Sequence, residues 1–281
     1  MRRRPQGRLR PFLWYETQPV SDTPLLQLRG VFKSFGSVQA LTDVDFEVNA
    51  GEVMALVGDN GAGKSTLIKC VAGIHAMDEG EMLFQGRKVS VHSPKEAANL
   101  GIEFVYQDLA LCDNLDVVQN MYLGREARNW LQVLREPPME AKTRETLSGL
   151  RVTTIKSIRQ PVATLSGGQR QSVAVARAVM WNSTLVVLDE PTAALGVAQT
   201  EQVLALVNRL AEQGLGVVLI SHNLHDVFET ATRITVLRLG QNVGVFERRS
   251  TTQQAVVEAI TAGQPTKVSG IASTYENEAQ Q

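Results

Sequence analysis

Gly58-Asp59-Asn60-Gly61-Ala62-Gly63-Lys64-Ser65-Thr66 follows directly on the apolar run Val53-Met54-Ala55-Leu56-Val57 and opens a stretch, Lys64 to Val71, whose Leu67, Ile68 and Val71 share one helical face. This is the G-x-x-x-x-G-K-[ST] phosphate loop in its strand-loop-helix setting. The glycines let successive backbone N–H groups turn inward on the phosphates of a nucleotide. Lys64 supplies a point charge for the β- and γ-oxygens, and the Ser65 hydroxyl is a ligand for Mg²⁺. The helix beginning here aims its positive dipole end at the same anion. A plain glycine turn ahead of a core helix is the bland alternative, and the strand before the loop argues against it.

Working outward, Leu185 to Leu188, Gly216 to Ile220 and Ile234 to Leu239 are further short apolar runs of strand length, alternating with helical segments. Such runs are what a parallel sheet covered on both faces requires. The fold class is therefore α/β, a P-loop NTPase core with a mostly parallel sheet. Ahead of the loop, Leu25 to Val31 and Asp43 to Val48 alternate in character around a turn at Lys33-Ser34-Phe35-Gly36, which predicts a small antiparallel β subdomain. Residues 108–164 break the rhythm. They offer helices at Val117 to Leu123 and Met139 to Leu150, the second announced by Pro137-Pro138, and read as a helical insertion between two halves of the core.

A chain of 281 residues with 43% hydrophobic residues can bury a full core. Lys plus Arg total 28 against 29 Asp plus Glu, so the net charge of -1 gives no argument for a nucleic-acid partner. No window approaches the length of apolar sequence that a spanning helix needs, so a membrane role is expected to run through a partner chain. Cys70 and Cys112 lack metal-ligand spacing and read as free thiols in a reducing compartment. Residues 1–24, with Arg2, Arg3, Arg4, Arg8 and Arg10, read as a disordered basic leader, with an arm for anionic lipid or RNA as the alternative. Residues 263–281 read as a frayed polar tail.

Leu185-Val186-Val187-Leu188-Asp189-Glu190 is an apolar strand ending in two carboxylates, which places them at the carboxyl edge of the sheet where α/β ligands sit. Asp189 is suited to hold Mg²⁺ through water, and Glu190 to polarise an attacking water at the γ-phosphate. A strand-end helix cap is the alternative, weakened by the phosphate loop elsewhere in the chain. Leu165-Ser166-Gly167-Gly168-Gln169 opens the helical run Val173 to Val179, and a hydroxyl with two glycines there makes a second anion-binding helix end.

Taken together, the loop at 58–66, Gln107 in Phe104-Val105-Tyr106-Gln107-Asp108, Ser166 to Gln169, the Asp189-Glu190 pair and His222 in Ile220-Ser221-His222-Asn223 resemble an ATP-binding cassette protein, in the family's order. The resemblance covers roughly residues 25–247 and frames an ATPase domain over 25–262. It implies a head-to-tail dimer in which Ser166, Gly167 and Gly168 of one subunit close over the γ-phosphate held by Gly61 to Ser65 of the other. It further implies that Phe35 stacks on adenine, that Gln107 links Mg²⁺ and the γ-phosphate to the helical insertion, and that His222 hydrogen-bonds the γ-phosphate. Core or strand-end roles would otherwise be the default for Phe35 and His222.

Finer wording, including His92-Ser93-Pro94-Lys95-Glu96-Ala97, Leu123-Gly124-Arg125-Glu126 and Thr192-Ala193-Ala194-Leu195-Gly196-Val197, is similar to the ATPase subunits of bacterial ribose-, xylose- and fructose-type importers. Many such subunits are two fused cassettes, whereas this chain carries one set of motifs and needs a second cassette as partner. Gly196 stands where the family's usual D-loop aspartate would be. The resemblance implies an ATP-hydrolysing subunit, peripheral at the cytoplasmic face, that drives sugar uptake through a separate membrane permease supplied by a sugar-binding protein. The alternative is a cassette ATPase of DNA repair or translation.

Overall fold

The structure, a computed structural model, describes residues 23–263, so most of the expected leader and tail lies outside the described residues. The described chain begins with β1 (Leu26–Phe35) and β2 (Val38–Val48), then β3 (Val53–Val57), α1 (Lys64–Val71), β4 (Glu79–Phe84) and β5 (Arg87–Val89). Strands β1, β2, β4 and β5 form an antiparallel sheet in the order β2-β1-β4-β5. Leu26 and Leu28 alternate inward opposite Val48 and Phe46, as a sheet with one covered face demands.

The reversal between β1 and β2 falls later than the sequence suggests. Lys33 and Ser34 belong to β1, Phe35 pairs with Val38, and only Gly36 and Ser37 are left for the turn, with Gly36 at φ 59°. Asp78 explains the shift. Its carboxylate accepts hydrogen bonds from Lys33 Nζ (2.6 Å) and from the Ser34 amide (2.7 Å) and hydroxyl (2.8 Å), which keeps that segment extended. The backbone freedom a tight turn needs is then supplied by the glycine.

The chain continues through α2 (Pro94–Leu100), β6 (Ile102–Val105), α3 (Val117–Tyr122), α4 (Glu136–Gly149), α5 (Gly167–Val179), β7 (Leu185–Asp189), α6 (Val197–Glu212), β8 (Gly216–Ile220), α7 (Leu224–Thr230), β9 (Arg233–Arg238), β10 (Gln241–Glu247) and α8 (Gln253–Ala262). The second sheet runs β10-β9-β3-β8-β7-β6, parallel throughout except for the antiparallel β9-β10 edge. Strand β3 is buried along its whole length. Met54 and Leu56 face α1 and the antiparallel sheet, while Ala55 and Val57 pack with Val227, Ile234, Val236 and Phe246. The opposite layer, built from α3 to α6, shares a core with Val186, Leu188, Val217 and Leu219. No helix among the described residues is long and apolar enough to cross a membrane.

Candidate active site

Four neighbouring parallel strands deliver the site. In register, Leu56 lies beside Ile220, Asp189 beside Ile220, and Val105 beside Leu188. The segments that leave β3, β8, β7 and β6 therefore emerge side by side along one sheet edge: the phosphate loop, then His222, then Asp189-Glu190, then Gln107. At the usual spacing between strands this row is about 14 Å long. Sequence reading had placed only the Asp189-Glu190 pair at this edge. It missed β6, whose four residues include the charged Glu103.

The phosphate loop is braced from outside. Gly58 adopts φ 151° and Gly63 φ 102°, and a Cβ on Gly58 would lie 2.1 Å from the Leu237 carbonyl oxygen. On Gly63 it would lie 2.9 Å from the Ala40 carbonyl oxygen and 2.8 Å from Leu41. The Gly240 amide donates to Ala62 O (3.1 Å), and the Thr42 amide to Gly240 O (2.8 Å). Strand β2 and the β9-β10 turn thus press on the loop, and only glycine permits the approach. Asp59, Asn60 and Gly61 remain exposed, as does Ser65 at the start of α1, with Thr66 half-buried beside it. Lys64 folds back over the loop, its Nζ donating to Gly58 O (2.6 Å) and Asp59 O (2.9 Å). Burial lowers the Lys64 pKa, opposed by the charges of Glu190, Asp59 and Asp189.

Asp189 sits half-buried at the end of β7, and burial followed by the neighbouring Glu190 charge raises its pKa, with Lys64 and Lys69 pulling the other way. Glu190 has φ 51°, in the left-handed region, and its amide donates to Ile220 O (2.9 Å). A non-glycine residue held there is strained, and such strain clusters at functional sites. His222 Nδ1 lies 2.5 Å from Glu190 Oε2. Gln107 is exposed beyond β6, and Tyr106 beside it is half-buried, where burial, followed by the charge of Asp189, raises its pKa. Phe35 is 45% exposed, its ring meeting His75 edge-on at 5.0 Å, with Lys33 Nζ 5.3 Å from its centre. Phe35 is therefore not a core residue.

Ser166 is the N-cap of α5 in a reciprocal capping box: its hydroxyl accepts from the Gln169 amide (3.4 Å), and its own amide donates to Gln169 Oε1 (2.9 Å). Gln169 Nε2 also donates to Thr154 O (2.7 Å). A Cβ on Gly167 would lie 2.8 Å from Leu195 Cδ2, and one on Gly168 3.1 Å from Gln199 Cβ, so both glycines pack closely against Leu195 and the first turn of α6. Among the described residues no hydrogen bond or ion pair joins 166–169 to 58–66.

Two groups escaped sequence reading. Arg177 on α5 donates to Leu109 O and Ala110 O (both 2.9 Å), and Arg170 pairs with Asp113, so the segment following Gln107 is tied to the helix that Ser166 caps. Asp226, buried on α7, binds Thr192 and Asn223. Asn223 and Asp226 show the spacing of a helix start, but nothing in the sequence signals the reach to Thr192. Among the described residues there is no cluster of three His, Cys, Asp or Glu able to hold a metal. The Ser65 hydroxyl and Asp189 carboxylate would offer the few oxygen donors that Mg²⁺ needs when waters and substrate phosphates supply its other ligands.

Residues 41–193 match the family described as ABC transporter. The chain is 46% identical over 248 residues to the fructose import ATP-binding protein of Rhizobium meliloti, covering 86% of this chain and 95% of that one. It is 45% identical over 238 residues to the xylose/arabinose import ATP-binding protein of Sulfolobus acidocaldarius, covering 85% and 94%. A dimeric ATP-binding cassette solved in a post-hydrolysis state with ADP and Pi superposes with a TM-score of 0.67 at 26% identity, over 80% of this chain and all of that one. With the family match over more than half the chain and relatives at 45% and 46% identity, together with a braced phosphate loop, paired strand-end carboxylates and a second, serine-capped glycine-rich helix start, the chain belongs to the ABC transporter family as an ATP-binding cassette.

Proposed function

We propose that this chain is the ATP-hydrolysing subunit of an importer for a monosaccharide, working at the cytoplasmic face of the membrane through a separate permease and, indirectly, a sugar-binding protein. The observation that carries the reading is the row along the sheet edge, with Lys64, His222, Asp189-Glu190 and Gln107 side by side, in a chain that matches single-cassette sugar-import proteins over nearly their full length.

In this reading the loop amides from Gly58 to Thr66 and Lys64 bind the triphosphate, and Phe35 stacks on the base. Ser65, Asp189 and Gln107 would hold Mg²⁺, which when bound would supply positive charge to offset the negative charge of the phosphates. Glu190 accepts the proton of the attacking water, and His222 keeps that carboxylate aimed while reaching the γ-phosphate through its other ring nitrogen. Ser166, Gly167, Gly168 and Gln169 act on the ATP of a second cassette, a pairing supported by the exposure of Ser166 and Gly167 at a helix start that no hydrogen bond or ion pair joins to their own loop among the described residues. The segment 108–164, anchored to α5 by Arg177 and Arg170, carries closure toward the permease.

The test is twofold. The purified chain should hydrolyse ATP in a Mg²⁺-dependent manner, and a strain lacking it should lose uptake of at least one labelled monosaccharide among fructose, xylose, arabinose and ribose. Hydrolysis with undiminished uptake of all four would retain the ATPase and overturn the sugar assignment.

A further inference from the structure

Glu190 and His222 leave different strands, and a side-chain pair spanning two loops needs something to hold the loops in register. One tether is the bond from the Glu190 amide to Ile220 O. The other is built around a single buried carboxylate. Asp226 is 1% exposed, and both its oxygens are taken: Oδ2 accepts from Thr192 Oγ1 at 2.5 Å and Oδ1 from Asn223 Nδ2 at 3.0 Å. Thr192 stands two residues after Glu190, and Asn223 directly follows His222. Asn223 is itself fixed, its amide donating to Ser221 Oγ (3.0 Å) and its Oδ1 accepting from the His225 amide to cap α7 (3.0 Å). Thr230 Oγ1 donates to the Asp226 carbonyl (2.8 Å), locking the helical turn that carries the carboxylate.

We infer that Asp226 and Thr192 are positioning residues for hydrolysis: the Thr192–Asp226–Asn223 bridge sets the distance and angle between the Glu190 carboxylate and the His222 imidazole. Neither residue touches the reacting atoms. Bonds to a buried carboxylate are strong and costly to leave half made, so the bridge resists the shear that would part the two loops. It also counters the strain at Glu190, whose left-handed backbone would relax if the segment after it were free. The inference rests on the hydrolytic reading given above.

The experiment measures steady-state ATP hydrolysis and ATP affinity of the full-length chain for Thr192→Val, Thr192→Ser and Asp226→Asn, with thermal midpoints alongside. Thr192→Val keeps shape and removes the donor, and is expected to lower kcat on the order of ten- to a hundredfold, the scale on which small misplacement of a catalytic group costs rate, with KM and ATP affinity unchanged. Asp226→Asn should do the same, and Thr192→Ser, which keeps the hydroxyl, should restore the rate. In a Glu190→Gln background, Thr192→Val should have no further effect on residual turnover, because the group it positions is gone. A Thr192→Val enzyme with full kcat would overturn the inference, as would a loss that persists by the same factor in the Glu190→Gln background. The underlying reading fails separately, if the unmodified chain hydrolyses no ATP or if Glu190→Gln alone leaves turnover intact.

Discussion

The imidazole of His222 stands with Nδ1 2.5 Å from Oε2 of Glu190, and the two differ sharply in surroundings: the His222 side chain is 70% exposed, that of Glu190 21%. The carboxylate lies inside and the ring outside it. Register puts them there. Strands β7 and β8 are adjacent and parallel, and Asp189 pairs with Ile220, so the residues that follow each strand turn toward each other.

Glu190→Gln preserves shape and hydrogen-bonding reach while removing the base. ATP binding should be retained and turnover should fall by at least ~10²-fold. Equilibrium nucleotide binding and a phosphate-release assay together check this, and near-normal hydrolysis would move the base to another group.

Phe35→Ala removes a ring that is 45% exposed, meets His75 edge-on and has Lys33 Nζ over one face. The fold should be unaffected, with an unchanged thermal midpoint, while ATP binding weakens by roughly 1 to 3 kcal/mol, the scale of base stacking on an aromatic. Discrimination among bases should stay poor in both forms, since stacking reads any base. An unchanged affinity would remove Phe35 from the site.

Asp78 orders the strand end that carries Phe35, and Lys33, followed by the amide and hydroxyl of Ser34, holds its pKa down at about 2. A depressed folded-state value means that the unfolded chain binds the proton first as pH falls. The stabilisation is therefore complete above the ordinary carboxylate range near about 4 and is lost as pH drops from there toward about 2. Asp78→Asn should be less stable than the parent at neutral pH, with the gap in thermal midpoint closing across that acid window. A gap that is constant with pH would show that the bonds to Asp78 do not depend on its charge.

What was legible in the sequence follows from where the signal is local. Val53 to Val57, Leu185 to Leu188 and Gly216 to Ile220 are continuous apolar runs because each is covered on both faces, and α1 was readable to its ends because Gly63 and the loop mark its start. Ile102–Val105 was not, since its length is only four residues and its evidence is the neighbour Leu185–Leu188 in space. The β1-β2 turn was misplaced because Asp78, distant in sequence, decides it. The same limit applies at the site. Residues that touch phosphate come in short motifs, whereas Thr192, Asp226, Arg170 and Arg177 act through partners far along the chain.

The sharpest test concerns the two helix ends. Ser166 and Lys64 share no hydrogen bond or ion pair within the chain, and Gly167 is instead packed on Leu195 of its own subunit. If Ser166 and Lys64 act on one ATP from opposite subunits, a homodimer of Lys64→Ala or of Ser166→Arg has both its sites broken and should be nearly inactive. Mixing the two chains gives heterodimers in which one interface carries both lesions and the other carries none. That intact interface should restore measurable ATPase activity, rising with the heterodimer fraction. Gly196 bears on the yield: it caps α6 at an ordinary φ of -75°, with open space around a Cβ, so Gly196→Asp fits without strain and supplies the carboxylate that the resemblance leads one to look for there. Were the mixture to stay as inactive as its parents with heterodimers demonstrably formed, either the two sites are obligately coupled or the composite site is wrong for this chain. Activity recovered by adding Gly196→Asp to both chains keeps the composite site, since the intact interface then works once that carboxylate is supplied.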